Sequence, residues 1–195
     1  MMNNIKESIR QINTNLMSTK KRSNVVAFMS IGNLQPQRTV VANMAVMYGQ
    51  AKKKTLIIDT DFSENIFLDT FKVESKVGLL DYLEKQNIDM QEIIVKIPGQ
   101  NVSIIPSGSD EKNNTEFLIG DPKFDVLLNR SIQDFDCVLI NTNMDEKYDN
   151  IGNIAQGIDG IILVIDSNRT KKRALYRLIH SIRKRDVNIL GYVSV

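Results

Sequence analysis

The stretch Ser30-Ile31-Gly32-Asn33-Leu34-Gln35-Pro36-Gln37-Arg38-Thr39 decides the predicted fold of this chain. The apolar run from Val25 to Phe28 precedes it and predicts a strand. The run from Thr39 to Gln50 follows it and is typical of a helix. A strand that passes through a glycine-containing loop into a helix is the setting in which many proteins bind phosphate groups.

The side chains that bind phosphate are nevertheless missing from this loop. A working phosphate-binding loop ends in Gly-Lys-Ser/Thr. The glycine lets backbone N–H groups face the phosphates, the lysine neutralises their oxygens, and the hydroxyl holds Mg²⁺. In this chain Pro36, Gln37 and Arg38 stand at those positions, and proline has no N–H to donate. The sequence therefore predicts a nucleotide-binding scaffold whose phosphate chemistry has been removed.

The composition predicts a single globular domain. The chain has 195 residues, 42% of them apolar and 25% charged, which is enough to bury a full core. Its net charge of +2 is too small to indicate nucleic acid as a partner. The single cysteine, Cys137, lies in an apolar run, so a reducing cytoplasm is expected. Neither a signal peptide nor a membrane span is recognisable.

Apolar runs and helical periodicities alternate along the chain. Strands are predicted at 25–28, 55–58, 102–106, 137–140, 161–165 and 189–195, and helices at 5–16, 39–50, 78–85, 121–129 and 171–185. This alternation predicts an α/β fold: a three-layer, doubly wound, mainly parallel sheet with helices on both faces. We expect one domain over 1–195, with an N-terminal helix and basic linker at 1–22 and the α/β core at 23–195.

Three polar segments follow predicted strands. They are the loop after Ser30, the segment Asp59-Thr60-Asp61, and the segment Asn141-Thr142-Asn143. Ligands of parallel sheets bind outside the carboxyl ends of the strands. We therefore expect the three segments to converge on one crevice.

Several longer motifs give the chain a family resemblance. They are Thr14-Asn15-Leu16, Ala42-Asn43-Met44-Ala45, Lys54-Thr55-Leu56-Ile57-Ile58-Asp59, Gly78-Leu79-Leu80-Asp81-Tyr82-Leu83, Pro106-Ser107-Gly108 with Glu116-Phe117-Leu118-Ile119-Gly120, and Ile189-Leu190-Gly191. With these motifs the chain resembles the cytoplasmic domain of the bacterial tyrosine kinases of capsule and exopolysaccharide assembly. This is the BY-kinase or CpsD/CapB type, in the deviant P-loop group that also contains MinD and ParA. The resemblance implies a P-loop NTPase fold.

The departures from this family fall on its chemistry. The resemblance implies a lysine on the γ-phosphate and a Ser or Thr on Mg²⁺, where this chain has Gln37 and Arg38. It implies a metal-linked aspartate where this chain has Asn141, whereas the two family acids at Asp59 and Asp61 are kept. An Arg-Lys pair after these acids is replaced by Ser63-Glu64, and the five tyrosines of the sequence are scattered along it rather than clustered.

The resemblance also assigns the candidate site. The catalytic positions are Asp59 and Asp61, the cofactor-binding positions are Gly32, Gln37, Arg38, Thr39 and Asn141, and no metal site is expected. We expect Arg38 to occupy the vacated Mg²⁺ region and to pair with Asp59 or Asp61. The alternative is a solvated Arg38 beside two hydrated aspartates.

The interpretation that follows is a catalytically degenerate homologue, a pseudokinase-like regulatory or adaptor subunit of polysaccharide biosynthesis and export. No cofactor is expected. The alternative is an active ATP-dependent tyrosine autokinase or ATPase with an atypical loop, and only that alternative requires ATP and Mg²⁺.

The resemblance further implies partners. In the family, the cytoplasmic tail of a membrane-bound activator of the polysaccharide co-polymerase type docks beside the nucleotide pocket, and the kinase assembles into rings. An active paralogous kinase and a homo-oligomer are further expectations, at the inner face of the membrane and without nucleic acid. Glu7 and Arg10 match the ring motif, or they form only a pair within their helix. The basic runs at 52–54, 171–173 and 183–185 are solvated helix ends or a surface for an anionic lipid or an acidic partner.

Overall fold

A computed structural model describes residues 7, 9, 10, 12–14, 24–108, 119–143, 150–155 and 157–195 of the chain. The strands are β1 (Asn24–Ser30), β2 (Thr55–Asp59), β3 (Val95–Lys96), β4 (Val102–Ile105), β5 (Cys137–Asn141), β6 (Gly160–Ile165) and β7 (Ile189–Ser194). The helices are α1 (Gln35–Gln50), α2 (Ile66–Phe71), α3 (Leu79–Glu84), α4 (Pro122–Asp134), α5 (Asn150–Ala155) and α6 (Lys172–Lys184), with a 3₁₀ turn at Met90–Glu92. The described residues between 7 and 14 are also helical.

The strands form one seven-stranded sheet in the order β3-β4-β2-β5-β1-β6-β7. All neighbouring strands are parallel except β3, which runs antiparallel to β4 at one edge. The central strands are buried along their whole length, as expected of a parallel sheet with helices on both faces. The α/β doubly wound prediction is confirmed.

Each face of the sheet carries its own apolar layer. On one face, buried side chains of α3, α4, α5 and α6 pack together on the strands. On the other face, α1, Phe67 of α2 and the N-terminal helical residues Ile9 and Ile12 do the same. Ile9 and Ile12 are 2% and 4% exposed, so the N-terminal helical segment contributes to the core.

The structure also differs from the sequence predictions in several elements. Helix α1 begins at Gln35 and not at Thr39, because the fixed φ of Pro36 suits the first helical turn, where its missing N–H costs nothing. Helix α4 extends five residues beyond Asn129. The short elements α2, α5 and β3 were not predicted, since segments of two to six residues carry too little periodicity to be recognised.

Within the described residues, no helix combines the length and the apolar character needed to cross a lipid bilayer.

Candidate functional site

The three polar segments meet at the carboxyl ends of β1, β2 and β5. In the sheet register, Asn141 lies beside both Phe28 of β1 and Asp59 of β2. The backbone N–H and the hydroxyl of Thr60 both donate to the carbonyl oxygen of Asn141, each over 2.9 Å. The predicted convergence of the three segments is thus confirmed, and we call the place where they meet the crevice.

A chain of amide hydrogen bonds crosses the floor of this crevice. Nε2 of Gln37 donates to Oδ1 of Asn141 over 2.9 Å and to the carbonyl oxygen of Thr142 over 2.8 Å. Nδ2 of Asn141 in turn donates to Oδ1 of Asp59 over 2.8 Å. Gln37, Asn141 and Asp59 are all 0% exposed. The Gln37 side chain thus points into the protein and uses both amide protons there.

The carboxyl group of Asp59 is enclosed by this network. Its Oδ1 also accepts the backbone N–H of Asp61 over 3.1 Å, whereas Oδ2 is buried without a hydrogen-bond partner among the described residues. Burial raises the pKa of Asp59 to about 8, although the bonds from Asn141 and the Asp61 backbone favour the charged form. Asp59 is therefore largely protonated at neutral pH, which makes the Gln37–Asn141–Asp59 network electrically neutral.

Arg38 points away from that network and joins two other acids. Its two terminal nitrogens bind Oδ2 of Asp61 over 2.5 Å and Oε2 of Glu64 over 2.9 Å. The side chains of Arg38 and Asp61 are 11% and 1% exposed, whereas that of Glu64 is 61% exposed. Burial by itself lowers the pKa of Arg38, but the hydrogen bonds and charges of Asp61 and Glu64 raise it above its usual value. The expected pairing of Arg38 is confirmed for Asp61, while Asp59 bonds to Asn141.

The other predicted site positions lie at the entrance to α1. Gly32 has a φ of +85°, the left-handed region that glycine adopts without strain, and a Cβ there would meet no atom of the described residues within 4 Å. Thr39 is exposed, and its hydroxyl donates to the carbonyl of Gln35 in the preceding turn. The structure thus brings Gln37, Arg38 and the acids together, but it leaves the Thr39 side chain outside the cluster.

Two contributors to the cluster were missed from the sequence. The hydroxyl and backbone N–H of Ser63 donate to Oδ1 of Asp61, and Glu64 is the second partner of Arg38. A comparison of the charges of this segment with those that the family resemblance implies could have found them. Where the family resemblance implies an Arg-Lys pair, this chain has a hydroxyl and a carboxylate, which match the new cation at Arg38.

The crevice as described holds few groups that could bind a metal. Among the described residues, no set of three or more His, Cys, Asp or Glu side chains lies close enough to hold a metal ion. The buried Oδ2 of Asp59 is the one carboxylate oxygen of the Asp59–Asp61 pair without a hydrogen bond, as judged on the part of the chain that the structure describes.

The residues of the expected ring motif lie on the N-terminal helical segment. Glu7 and Arg10 are both exposed, so they can contact another molecule. Asn13, where the resemblance implies a second arginine, accepts a hydrogen bond from the Tyr48 hydroxyl over 3.1 Å. The motif position at Asn13 is therefore used inside the protein.

Two bacterial tyrosine-protein kinases are similar to this chain over most of its length. The chain is 27% identical over 188 residues to the tyrosine-protein kinase CpsD of Streptococcus agalactiae, covering 96% of this chain and 80% of CpsD. It is 26% identical over 194 residues to the tyrosine-protein kinase YwqD of Bacillus subtilis, covering 96% and 79%. No family model matches the chain.

Solved structures of low sequence identity share the fold. The chimerical protein CapA2B2 superposes with a TM-score of 0.83 at 22% identity, covering 96% of this chain and 83% of its own. The kinase domain of the Escherichia coli tyrosine kinase ETK gives 0.83 at 18% identity, covering 96% and 74%. The septum site-determining protein MinD of Pyrococcus horikoshii, complexed with Mg-ADP, gives 0.67 at 19% identity, covering 87% and 69%. The fold is that of BY-kinase domains and of the MinD group of P-loop proteins.

Proposed function

We propose that this chain, a homologue of the bacterial tyrosine-protein kinases named above, is a regulatory or adaptor subunit of capsular or exopolysaccharide biosynthesis that works without ATP turnover. One observation carries the proposal. The crevice in which kinases of this fold hold a nucleotide is filled by the protein's own hydrogen bonds, from Gln37 to Asn141 and from Arg38 to Asp61.

The residues of the crevice do not fit a magnesium nucleotide. A triphosphate needs a cation at the position of Gln37, but a neutral amide stands there and both of its protons are used by Asn141 and Thr142. It needs backbone donors at the helix start, and Pro36 has none. The guanidinium of Arg38 already lies against Asp61, one of the carboxylates that would otherwise face a metal.

The contacts that a nucleotide would lose in this crevice are a large part of its binding free energy. A charge-assisted hydrogen bond contributes about 1.5–3 kcal/mol. The loss of two such bonds weakens nucleotide binding by roughly 100-fold or more. Phosphoryl transfer depends on positioning and electrostatic stabilisation, so we expect turnover to fall further than binding.

Titration of MgATP into the protein, followed by isothermal calorimetry, tests this proposal. We expect no heat of binding at micromolar nucleotide and no transfer of labelled phosphate to tyrosine. The variant Pro36→Gly/Gln37→Lys/Arg38→Ser/Asn141→Asp should recover binding. Its matched control, Pro36→Gly/Arg38→Ser, keeps the Gln37–Asn141 bond and should not. A folded fourfold variant that still fails to bind would show that these substitutions are not the cause.

The second candidate function is an active ATP-dependent tyrosine autokinase or ATPase with an atypical loop. The observation that favours it is the survival of both acids, with Oδ2 of Asp59 lacking a partner among the described residues. Micromolar MgATP affinity together with phosphate transfer by the unaltered chain would establish this candidate and overturn the regulatory one.

The proposed partners are the cytoplasmic tail of a membrane-bound activator and an active paralogous kinase. The resemblance supports both, since a homologue that keeps the family fold can keep its docking surfaces without catalysis. Mixing this chain with an active kinase of the same organism should change the rate of that kinase's autophosphorylation. The exchange Glu7→Arg/Arg10→Glu, on the exposed positions of the ring motif, should weaken the effect if assembly uses this surface.

A further inference from the structure

The outer face of α6 carries an unusual concentration of positive charge. Its exposed side chains are Lys172, Arg173, Tyr176, Arg177, His180, Arg183 and Lys184, and we call this set the α6 basic face. The helix contains five Lys and Arg residues and no Asp or Glu. Without them, the chain has 20 Lys and Arg against 23 Asp and Glu, so the rest of the molecule is acidic overall.

These charges are not arranged to stabilise the helix alone. Arg183 and Lys184 lie in the last turn, where cations interact favourably with the helix dipole. Lys172 and Arg173, however, lie in the first turn, where the dipole disfavours cations and where no acidic residue compensates them. Within the described residues, no carboxylate pairs with a Lys or Arg of this face. Among the residues that the structure describes, the face therefore has no anionic partner.

The apolar side of α6 packs against the sheet. Leu178 and Ile182 are 2% and 0% exposed and belong to the core layer on that side of the sheet. The helix therefore cannot insert its apolar side into a bilayer without unfolding the domain. What it presents outward is a flat basic surface with one aromatic ring, Tyr176, which is 75% exposed.

We propose that the α6 basic face binds the anionic headgroups of a phospholipid membrane and so orients the chain on the membrane surface. Clusters of Lys and Arg on one helix face are attracted to anionic lipid. Each cation near the surface raises the affinity for the membrane about fivefold. Tyrosine, with an apolar ring and a polar hydroxyl, is enriched at the headgroup level. Tyr192 of the edge strand β7 is also 65% exposed. Its neighbour Val193 packs on the α1 side of the sheet, so Tyr192 points to the α6 side. The proposal does not depend on the state of the nucleotide crevice.

A tryptophan reporter tests this placement directly, because the chain contains no tryptophan. Tyr176→Trp introduces a single indole at the centre of the face. We expect its emission to shift to the blue with vesicles containing about 30% phosphatidylglycerol and to stay unchanged with pure phosphatidylcholine. The shift should disappear at high salt, because the attraction is screened. No shift with anionic vesicles would overturn the proposal.

Charge reversal provides the second measurement. Arg173→Glu/Arg177→Glu should lower the affinity of the full chain for the anionic vesicles, measured by co-sedimentation, by at least about 25-fold, at about fivefold for each of the two cations lost. The matched control Lys76→Glu/Lys96→Glu makes the same change of net charge at exposed positions away from α6 and should lower it less than threefold. Equal losses in the two variants would overturn the proposal, as would tighter binding of the unaltered chain to duplex DNA or to an acidic peptide than to the vesicles.

Discussion

At the scale of single residues, the substitutions in the crevice are mutually compensating. A lysine at position 37 and an aspartate at position 141 are what the family resemblance implies, and here both are neutral amides that bond to each other over 2.9 Å. An arginine at position 38 is accompanied by a glutamate at position 64, and these two form an ion pair. A buried charge without a partner is costly, which favours the neutral Gln37–Asn141 pair and the Arg38–Asp61 ion pair, whereas the exposed Glu64 adds little.

The pair Gln37 and Asn141 can be tested with a double-mutant cycle. Gln37→Lys alone places a buried ammonium beside a neutral amide, and we expect it to lower the free energy of unfolding by about 3 kcal/mol. Combined with Asn141→Asp, the loss should shrink, with a favourable coupling of about 1–3 kcal/mol. Urea denaturation of the four proteins measures the coupling. Additive effects would show that the two side chains act independently.

Asp59 predicts a pH dependence of stability. Its pKa is about 8 in the folded state and about 4 in the unfolded chain, so between these values the folded protein holds a proton that the unfolded chain lacks. The stabilisation of this group is fully present below about pH 4 and is lost as the pH rises to about 8, by up to about 1.4 kcal/mol per pH unit.

The variant Asp59→Asn isolates this contribution, because it keeps the oxygen that accepts from Asn141 and from the Asp61 backbone. We expect the free energy of unfolding of the variant to fall less between about pH 5 and pH 8 than that of the unaltered chain. Asp134→Asn, at an exposed position, serves as the control. The same pH slope in all three proteins would contradict the assignment.

At the scale of elements, the start of α3 depends on a close approach of two backbones. The N–H groups of Leu79 and Leu80 donate to the carbonyls of Pro106 and Ser107 over 2.8 and 2.9 Å. Gly78 lies directly against this loop, and a Cβ there would clash with the backbone of Pro106 and Gly108. Two motifs that are far apart in the sequence are thus one structural unit.

We expect Gly78→Ala to lower the free energy of unfolding by about 2–3 kcal/mol, because α3 must move away from the loop and lose both backbone hydrogen bonds. Gly152→Ala is the matched control. Among the described residues, a Cβ at that helical position meets only Arg185 side-chain atoms, the nearest at 3.5 Å, and alanine favours helix. Thermal melting followed by circular dichroism compares the two variants. Equal melting temperatures would show that the backbone of Gly78 does not need to lie close to the 106–108 loop.

At the scale of the whole molecule, the N-terminal helical segment folds as part of the domain. The side chain of Ile12 packs on the edge strand β7, where a Cβ on Gly191 would lie 3.0 Å from its Cγ1. Asn13 accepts a hydrogen bond from Tyr48 of α1. The segment thus joins two elements that are far apart along the chain.

We expect Ile12→Ala to lower the free energy of unfolding by about 2–4 kcal/mol, the usual cost of a cavity in a core. Thr14→Ala, at an exposed position of the same segment, should change it by less than about 0.5 kcal/mol. Denaturant titration followed by two probes, far-ultraviolet circular dichroism and tyrosine fluorescence, should give coincident transitions for both variants. A separate early transition in Ile12→Ala would show that the segment unfolds independently.

The pattern of amino acids was sufficient to predict the α/β architecture, the strand–loop–helix unit after β1 and the convergence of Asp59, Asp61 and Asn141 at one edge of the sheet. Apolar periodicity and the rule that parallel strands end together are local or topological properties, so they can be read without coordinates. The hydrogen-bond partner of each crevice side chain could be assigned only once the packed structure was known. Gln37 donates a hydrogen bond to Asn141, 104 residues away. Arg38 binds Asp61 and Glu64 and not Asp59. These pairings depend on burial and on donor–acceptor distances, and both are set only when the strands and α1 have packed together.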